Sequence, residues 1–530
     1  MKLETFLHHL HFDTEKLAPP DWQVDWEDAP LPYKLYRGLP EIPLSGDVPL
    51  TLREREAQAD PGLEELGTFL WYIYGLTHYA QFAQSAFIEG TEENNAVSYA
   101  QLFRRFVPSG GALYPNELYV YVKLEGVPQG IYHYDVAHHR LLLLREGKYD
   151  SFLSRSLGNC DVSDCFCTVF ISTVFWKNFY KYNNFSYRLQ GLDAGVLIGQ
   201  SLEVANRMGF SSRVCYQFLD RSINHLLGLS EQDESVYAVI PLSIHPSIYC
   251  DENDHDEENV SAVELSQEVP LLKHETYNRS KRIIDYPMLK EMNEASLLET
   301  TQSFVKIIKE RSRSSNSLGA ELIMLPFTES PTYDLASICR ERRSPDLDFI
   351  IGKVSQIQLS TLLKETFSFS YQNDLYDTRG GLETRVSLYG CFYNVEGVPN
   401  GTYSYDNNTH GLCRISQGDF REYLQNGLTM PNLNLFQVPL CLHVVGDKNH
   451  LKEKLGYRGY RIQQMEAGIL LQRLLLVSCA LGMGGHPLLG FDVNQCDELY
   501  RINSKGKTSL IQIPVGPYRP RAWLKGSLLS

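Results

Sequence analysis

The sequence predicts an α+β fold built twice along one chain, and three observations carry that prediction. The first is internal self-similarity, which outranks any single motif. EGVPQGIYHYD at 125–135 returns as EGVPNGTYSYD at 396–406, a shift from 125 to 396 of 271 residues. YRLQGLDAG from Tyr187 returns as YRIQQMEAG from Tyr460, Met208-Gly as Leu481-Gly, and Pro241 as Pro514, each a shift of 273. The second observation is a shared order of elements: a helix, a glycine loop, alternating strands, a long helix and a last strand. The third is that the long helix of each copy is apolar nearly all round, which requires burial on every side. Helices packed with mostly antiparallel strands make the class α+β.

In chain order, Leu63, Leu66, Leu70 and Ile73 recur on one face and predict the opening helix. The glycine loop PSGG at 108–111 leads into an alternating strand over 117–124, matched by 387–393 in the second copy. GVPxG then reads as a hairpin turn in both. β-rich runs follow at 167–175 and 438–446, then the long helices opening on AG, then the final strands. The copies are expected over 1–250 and 285–530. Between them an acidic stretch, CDENDHDEENVS at 250–261, reads as part of a solvated linker over 251–284.

A chain of 530 residues exceeds one ordinary core, and its length predicts two to three domains. A net charge of −15 leaves no clustered basic footprint, so neither nucleic acid nor an anionic membrane is an expected partner. The start, MKLETFLHHLHFDTEK, lacks a signal peptide's apolar core, and a cytoplasmic location is expected. The most apolar stretch, 467–485, is interrupted by Gln472 and Arg473 and reads as a buried helix. Eleven cysteines without a CxxC pair read as reduced thiols, with no metal site.

Five stretches could carry chemistry, and each has a plainer reading. In PSGG, paired glycines let backbone amides approach a flat ligand, or simply turn the chain before a strand. CRERRSP at 339–345 offers forked donors and a hydroxyl suited to a phosphate, or a solvated basic patch. IPVGPYRPR at 513–521 ends a strand beside Arg519, or is a basic tail. In KYNNFSYR at 181–188, an ammonium close to a phenol lowers its pKa and makes an acid/base pair. Adjacent helical residues diverge, so that pair needs irregular backbone; otherwise it is a polar lead-in to the next helix. GMGGHPLLGFD at 482–492 exposes amides around Leu489 and Gly490 to a ligand, or forms a turn.

Together these stretches resemble the nitroreductase-like flavoproteins, and within them the SagB/ThcOx-type azoline dehydrogenases. PSGGALYPNELYVYV with GVPQGIYHYD is specific to that subfamily; RRS followed by QLSTLL at 358–363, and YR…AG, are broader. The resemblance implies two tandem nitroreductase-like domains forming an intramolecular pseudo-dimer, with FMN bound where the copies meet. It implies oxidation of thiazolines and oxazolines to thiazoles and oxazoles in a ribosomally made peptide, as in bacteriocin biosynthesis, with oxygen reoxidising the flavin. The implied partners are the azoline-containing precursor peptide and a YcaO-type cyclodehydratase complex.

By that resemblance one composite site takes Pro108, Ser109 and Gly110 over the flavin and Lys181 with Tyr182 near the substrate. The second copy supplies Arg342, Arg343 and Ser344 for the phosphate, Leu489 and Gly490 facing the flavin ring, and Arg519. Either Tyr182 or Lys181 is the expected base. The pseudo-symmetric site would have Thr378-Arg379 in place of Pro-Ser and Lys454-Leu455 in place of Lys-Tyr. Its phosphate region would fall at Ser45-Gly46-Asp47, with Pro246 in place of Arg519. That second site is expected to be broken. One departure touches the first: Asp346 stands where family members carry a cation, with Arg340 or Lys353 as candidates to compensate. A general NAD(P)H-dependent nitro- or quinone reductase, and a flavin-free peptide-binding scaffold, are the alternatives the sequence leaves open.

Overall fold

The computed structural model describes residues 1–54, 61–85, 97–245, 259–307, 321–368, 371–376, 385–520 and 524–527. Two large sheets repeat one strand order. The first runs Glu41–Pro43, Arg140–Glu146, Gly130–Asp135, Asn116–Val122, Cys167–Val174, Glu234–Ser243, Ser211–Val214 and, last, Gln372–Asn373. The second runs Leu322–Met324, Gly411–Gln417, Gly401–Asp406, Ser387–Phe392, Leu440–Asp447, Lys507–Gly516 and Gly484–Gly485. Both GVPxG segments turn antiparallel hairpins, with Val122 facing Gly130 and Phe392 facing Gly401. The α+β prediction holds.

The two strands that leave their own half had no signal in the sequence. Gln372–Asn373 crosses over and pairs in parallel with Arg213 and Val214 at the edge of the first sheet. Leu524–Ser527, near the C-terminus, pairs with His78–Ser85, which pairs in turn with Val97–Arg104 in a separate three-stranded sheet. Such exchanges are set by tertiary partners, and a four-residue strand has too little pattern to announce them.

The linker expected over 251–284 also needs correction. Its first part, through 258, lies outside the described residues. From 259 onward the chain is packed: Ala262 and Leu265 are buried, and Trp176 Nε1 donates to Ser280 Oγ at 3.0 Å. The acidic composition that suggested a solvated linker stops before the apolar positions begin.

At the centre, helices Ser186–Arg207 and Arg458–Ala480 cross in close contact. The repeated AG is what permits the crossing. A Cβ on Gly195 would lie 2.1 Å from the Met465 carbonyl oxygen, and one on Gly468 2.4 Å from that of Leu192. The repeated YR serves the same seam, since the rings of Tyr187 and Tyr460 stack 5.9 Å apart. Gln472 and Arg473, which interrupt the apolar run, reach across to Gln200 and Glu203 at 2.8 and 2.6 Å. Both helices are buried along nearly their whole length, as their all-round apolarity requires. Among the described residues no helix is long and apolar enough to cross a membrane.

A methyl group at position 195 meets backbone, which cannot rotate away as a side chain can. Overpacking of a core typically costs 1–3 kcal/mol, so Gly195→Ala is expected to lose about 3 kcal/mol. A thermal melt checks it, and an unchanged Tm would contradict the close crossing.

Candidate functional site

The PSGG loop is shaped by its glycines and by an acid the sequence reading missed. Gly111 takes φ +62°, a left-handed conformation that glycine tolerates, and Ala112 and Tyr114 follow at φ +58° and +50°. Ser109 Oγ donates to Asp193 Oδ2 at 2.7 Å and accepts from the Tyr114 amide at 2.9 Å. The Gly110 amide donates to Asp193 Oδ1 at 3.1 Å. Pro108 precedes this locked turn. Asp193 projects from the long helix two residues before Gly195, so the seam between the halves also sets the loop.

The Lys-Tyr pair stands directly against the loop. Helix Trp176–Tyr182 ends there because Asn183 adopts φ +45°, and a short 3₁₀ turn leads into the long helix. This is the irregular backbone the pair needs to face one point. A Cβ on Gly111 would lie 2.5 Å from Tyr182 Oη and 2.8 Å from Lys181 Nζ, so the absent side chain leaves room for both polar ends. Lys181 Nζ also lies 5.4 Å from the ring of the exposed Trp26, a neighbour no motif signalled.

The electrostatics decide which of the two groups can act as the base. An ammonium close to the phenol could have lowered it; burial instead pushes Tyr182 up to about 12, and the nearby Asp193 carboxylate adds to the rise. Burial lowers Lys181 below the usual lysine value. Burial also raises Asp193 to about 7, its hydrogen bonds to Ser109 and Gly110 opposing the shift. At neutral pH the pair is a protonated phenol beside an amine that gives up its proton more readily than usual.

The raised Asp193 has a stability consequence. The folded state holds its proton up to about pH 7, while an unfolded aspartate loses it near its ordinary value of 3.8. Folding therefore binds a proton between those limits, and stability falls as pH rises from about 4 to about 7. Asp193→Asn, which cannot ionise, is expected to gain on the parent by up to roughly 4 kcal/mol above pH 7, with no gain near pH 4. Comparing the two melting temperatures at pH 4.5 and pH 8 checks the sign.

On the second-copy side, Arg342 and Arg343 follow the helix Leu335–Glu341. Arg342 Nε donates to the Phe106 carbonyl at 3.0 Å, two residues before Pro108, so the arginine cluster touches the stem of the PSGG loop. Burial pulls Arg342 below the usual arginine value, and Arg104 at the end of strand Val97–Arg104 adds to that pull. Arg343 lies 5.6 Å above the Tyr518 ring. Among the described residues, Arg342 Nη1 and Arg343 Nε are buried without a hydrogen-bond partner. Buried guanidinium donors left unpaired are costly unless an anion meets them, so these residues fit the phosphate of FMN. Ser344 lies half-buried beside them, and Arg519, next to Tyr518, is exposed with its amide donating to the Asp348 carbonyl.

Asp346 Oδ1 lies 3.1 Å from His486 Nδ1. The two expected substitute cations each have a partner of their own. Lys353 lies 3.8 Å from Glu396 and is largely exposed, and Arg340 Nη2 donates to Ser337 Oγ at 3.2 Å. Arg104, which sequence reading passed over, is the basic residue beside Arg342.

Leu489 and Gly490 sit in a loop pinned at both ends, with the Leu488 amide on Gln512 O and the Asp492 amide on Gly427 O, both at 2.8 Å. Among the described residues no acceptor meets the Leu489 or Gly490 amides. Phe491 lies 5.9 Å from the Arg188 guanidinium, on the helical turn whose Leu189 contacts Gly110.

The pseudo-symmetric positions look different. Tyr216 and Gln217 stand 273 residues before Leu489 and Gly490, and both their amides donate to the Asp374 carboxylate, at 2.9 and 2.7 Å. Glu466, the counterpart of Asp193, binds Arg385 Nε at 2.7 Å and Tyr376 Oη at 2.9 Å. Leu455 is buried where Tyr182 would be, and Ser45, Gly46 and Asp47 are exposed. Thr378, Arg379 and Pro246 lie outside the described residues. Here the chain's own side chains fill the polar positions.

No protein-family model matches the chain. Over 178 residues it is 29% identical to the trifolitoxin-processing protein TfxB of Rhizobium leguminosarum bv. trifolii, covering 31% of this chain and 45% of that protein. Over 131 residues it is 25% identical to a protein of Methanocaldococcus jannaschii assigned as a nitroreductase, covering 25% of this chain and 64% of that one. The chain thus matches less than two thirds of the length of either relative. A crystal structure of a protein from Anabaena variabilis, likewise assigned as a nitroreductase, superposes with a TM-score of 0.73 at 20% identity, covering 98% of this chain and 99% of that one. The chain has the nitroreductase-like fold.

Proposed function

We propose that this chain is an FMN-dependent azoline dehydrogenase with one composite site, acting on a ribosomally made peptide. The observation that carries the reading is Gly111, whose bare Cα leaves Lys181 Nζ and Tyr182 Oη converging on a single point. The left-handed φ of +62° suits glycine in any turn, but the convergence of an amine and a phenol on that glycine is what a turn by itself does not call for. In this reading the copies are 1–250 and 285–530, and the second pocket is closed by Asp374, Glu466 and Arg385. Similarity to a trifolitoxin-processing protein supports a peptide substrate, and a cyclodehydratase that forms the azoline is the expected partner.

Arg342, Arg343 and Ser344 would hold the FMN phosphate, with Arg519 at the rim. The amides of Leu489 and Gly490 would face the ring, stabilising negative charge that develops there. Pro108, Ser109 and Gly110 would cover it. Bound in this way, FMN supplies the hydride acceptor, chemistry that belongs to the cofactor. Lys181 Nζ takes the proton from the ring carbon that was the residue's α-carbon, and the Tyr182 phenol, still protonated, orients the azoline by donating its O–H.

The test is mass spectrometry of an azoline-bearing peptide incubated with the purified yellow protein. The expected result is loss of two hydrogens per ring; a colourless protein, or rapid bleaching by NADPH with no change in the peptide, overturns the reading.

A further inference from the structure

Asp193 stands at the join between the loop, the Lys-Tyr pair and the central helix, and no motif marks it. Both its oxygens are used by the loop: Ser109 Oγ at 2.7 Å and the Gly110 amide at 3.1 Å. The side chain is almost fully buried, 8% exposed, so water does not compete for those bonds. Next along the loop, Gly111 occupies the left-handed region and faces Tyr182 Oη and Lys181 Nζ. The carboxylate therefore fixes the two residues immediately preceding the one that decides how closely the pair can converge.

The duplicated fold supplies an internal comparison. Glu466 lies 273 residues later on the matching helix, equally buried, and grips Arg385 and Tyr376 instead of a loop amide. An acid at this position is thus compatible with either half of the fold. In the first half it is spent on holding the PSGG turn, and in the second on an ion pair that fills the pocket.

We propose that Asp193 is a positioning residue that clamps Ser109 and Gly110 so that Gly111 stays seated against Lys181 and Tyr182. The inference rests on the proposed role of that pair. Geometric precision of this kind is valuable: a displacement of about 1 Å at a reacting group can cost on the order of 10²-fold in rate. An amide at the position keeps the clamp, because its oxygen accepts from Gly110 and its NH₂ donates to Ser109 Oγ. A methyl group releases it.

The experiment compares Asp193→Ala and Asp193→Asn in the flavin-loaded full chain. Asp193→Ala is expected to lower kcat about 10²-fold with KM and flavin content little changed, and Asp193→Asn to restore most of the loss. Hydrogen–deuterium exchange over 108–114, read with and without flavin, is expected to accelerate in the alanine variant and stay near the parent in the asparagine one. The exchange readout does not need turnover. If the parent fails to oxidise azolines but exchange follows this pattern, the clamp stands and the assigned reaction falls. Should Asp193→Ala not fold, Ser109→Ala removes one arm of the clamp from the other side and is expected to move both readouts in the same direction. The proposal is overturned if Asp193→Ala matches the parent, if Asp193→Asn is as impaired as alanine, or if Ser109→Ala changes neither readout.

Discussion

Lys181→Ala is expected to lower the rate of azoline oxidation by about 10²–10⁴-fold, the usual worth of a positioned general base, while the protein stays yellow. The argument starts from burial. Lys181 is held below its ordinary pKa and Tyr182 is pushed up to about 12. The phenol therefore keeps its proton across the accessible pH range, and the amine is the group that can accept one. Because the neutral amine is the active form, the parent's rate rises with pH and levels off above the lysine's depressed value. Removing Lys181 removes that rise. Tyr182→Phe deletes a donor rather than the base, so it lowers the rate but preserves the ascending limb. A steady-state pH series on the three proteins separates the roles. A Tyr182→Phe variant that loses the limb while Lys181→Ala keeps it would assign the base to tyrosine instead, and a flat parent profile would leave neither side chain as the base.

What the sequence made legible follows from what repeats or alternates. The tandem copies, the strands beside GVPxG and the buried central helices were visible because each leaves a periodic trace. YR and AG were visible as well, yet their work is at the seam: Tyr187 stacks on Tyr460 and Gly195 admits the Met465 backbone. Asp193 lay in plain view inside YRLQGLDAG and was passed over, because its partners are 84 and 83 residues away and no local pattern encodes them. The direction of the Tyr182 shift was not legible for a related reason. Adjacency in sequence suggested a nearby ammonium, whereas burial and Asp193, both properties of the folded chain, decide the outcome. Asp374 on the amides of Tyr216 and Gln217 was equally hidden, although a search for acids in the worn second copy would have found it.

The second large effect concerns affinity rather than rate, and it follows from two atoms. Among the described residues no acceptor meets the buried Arg342 Nη1 and Arg343 Nε, which lie beside the further charge of Arg104. A charge-assisted hydrogen bond contributes about 1.5–3 kcal/mol, which is roughly 10- to 100-fold in affinity per arginine. Arg343→Ala is therefore expected to weaken FMN within that range, and Arg342→Ala/Arg343→Ala by about 10²–10⁴-fold if the two contributions add. The single variant is the cleaner measurement, because Arg342 also braces the Phe106 carbonyl and its loss loosens the loop stem. Riboflavin, which lacks the phosphate, supplies the internal reference. In the parent FMN should bind far more tightly than riboflavin; in Arg343→Ala the two should draw together, with riboflavin affinity nearly unchanged. Flavin fluorescence quenching measures both constants. If Arg343→Ala weakened both flavins equally, the guanidinium would be supporting the pocket wall and the phosphate would have to be met elsewhere. Asp346 sharpens the comparison: since its carboxylate already faces His486, Asp346→Arg is expected to leave FMN affinity within about threefold of the parent, the small change usual for a surface charge.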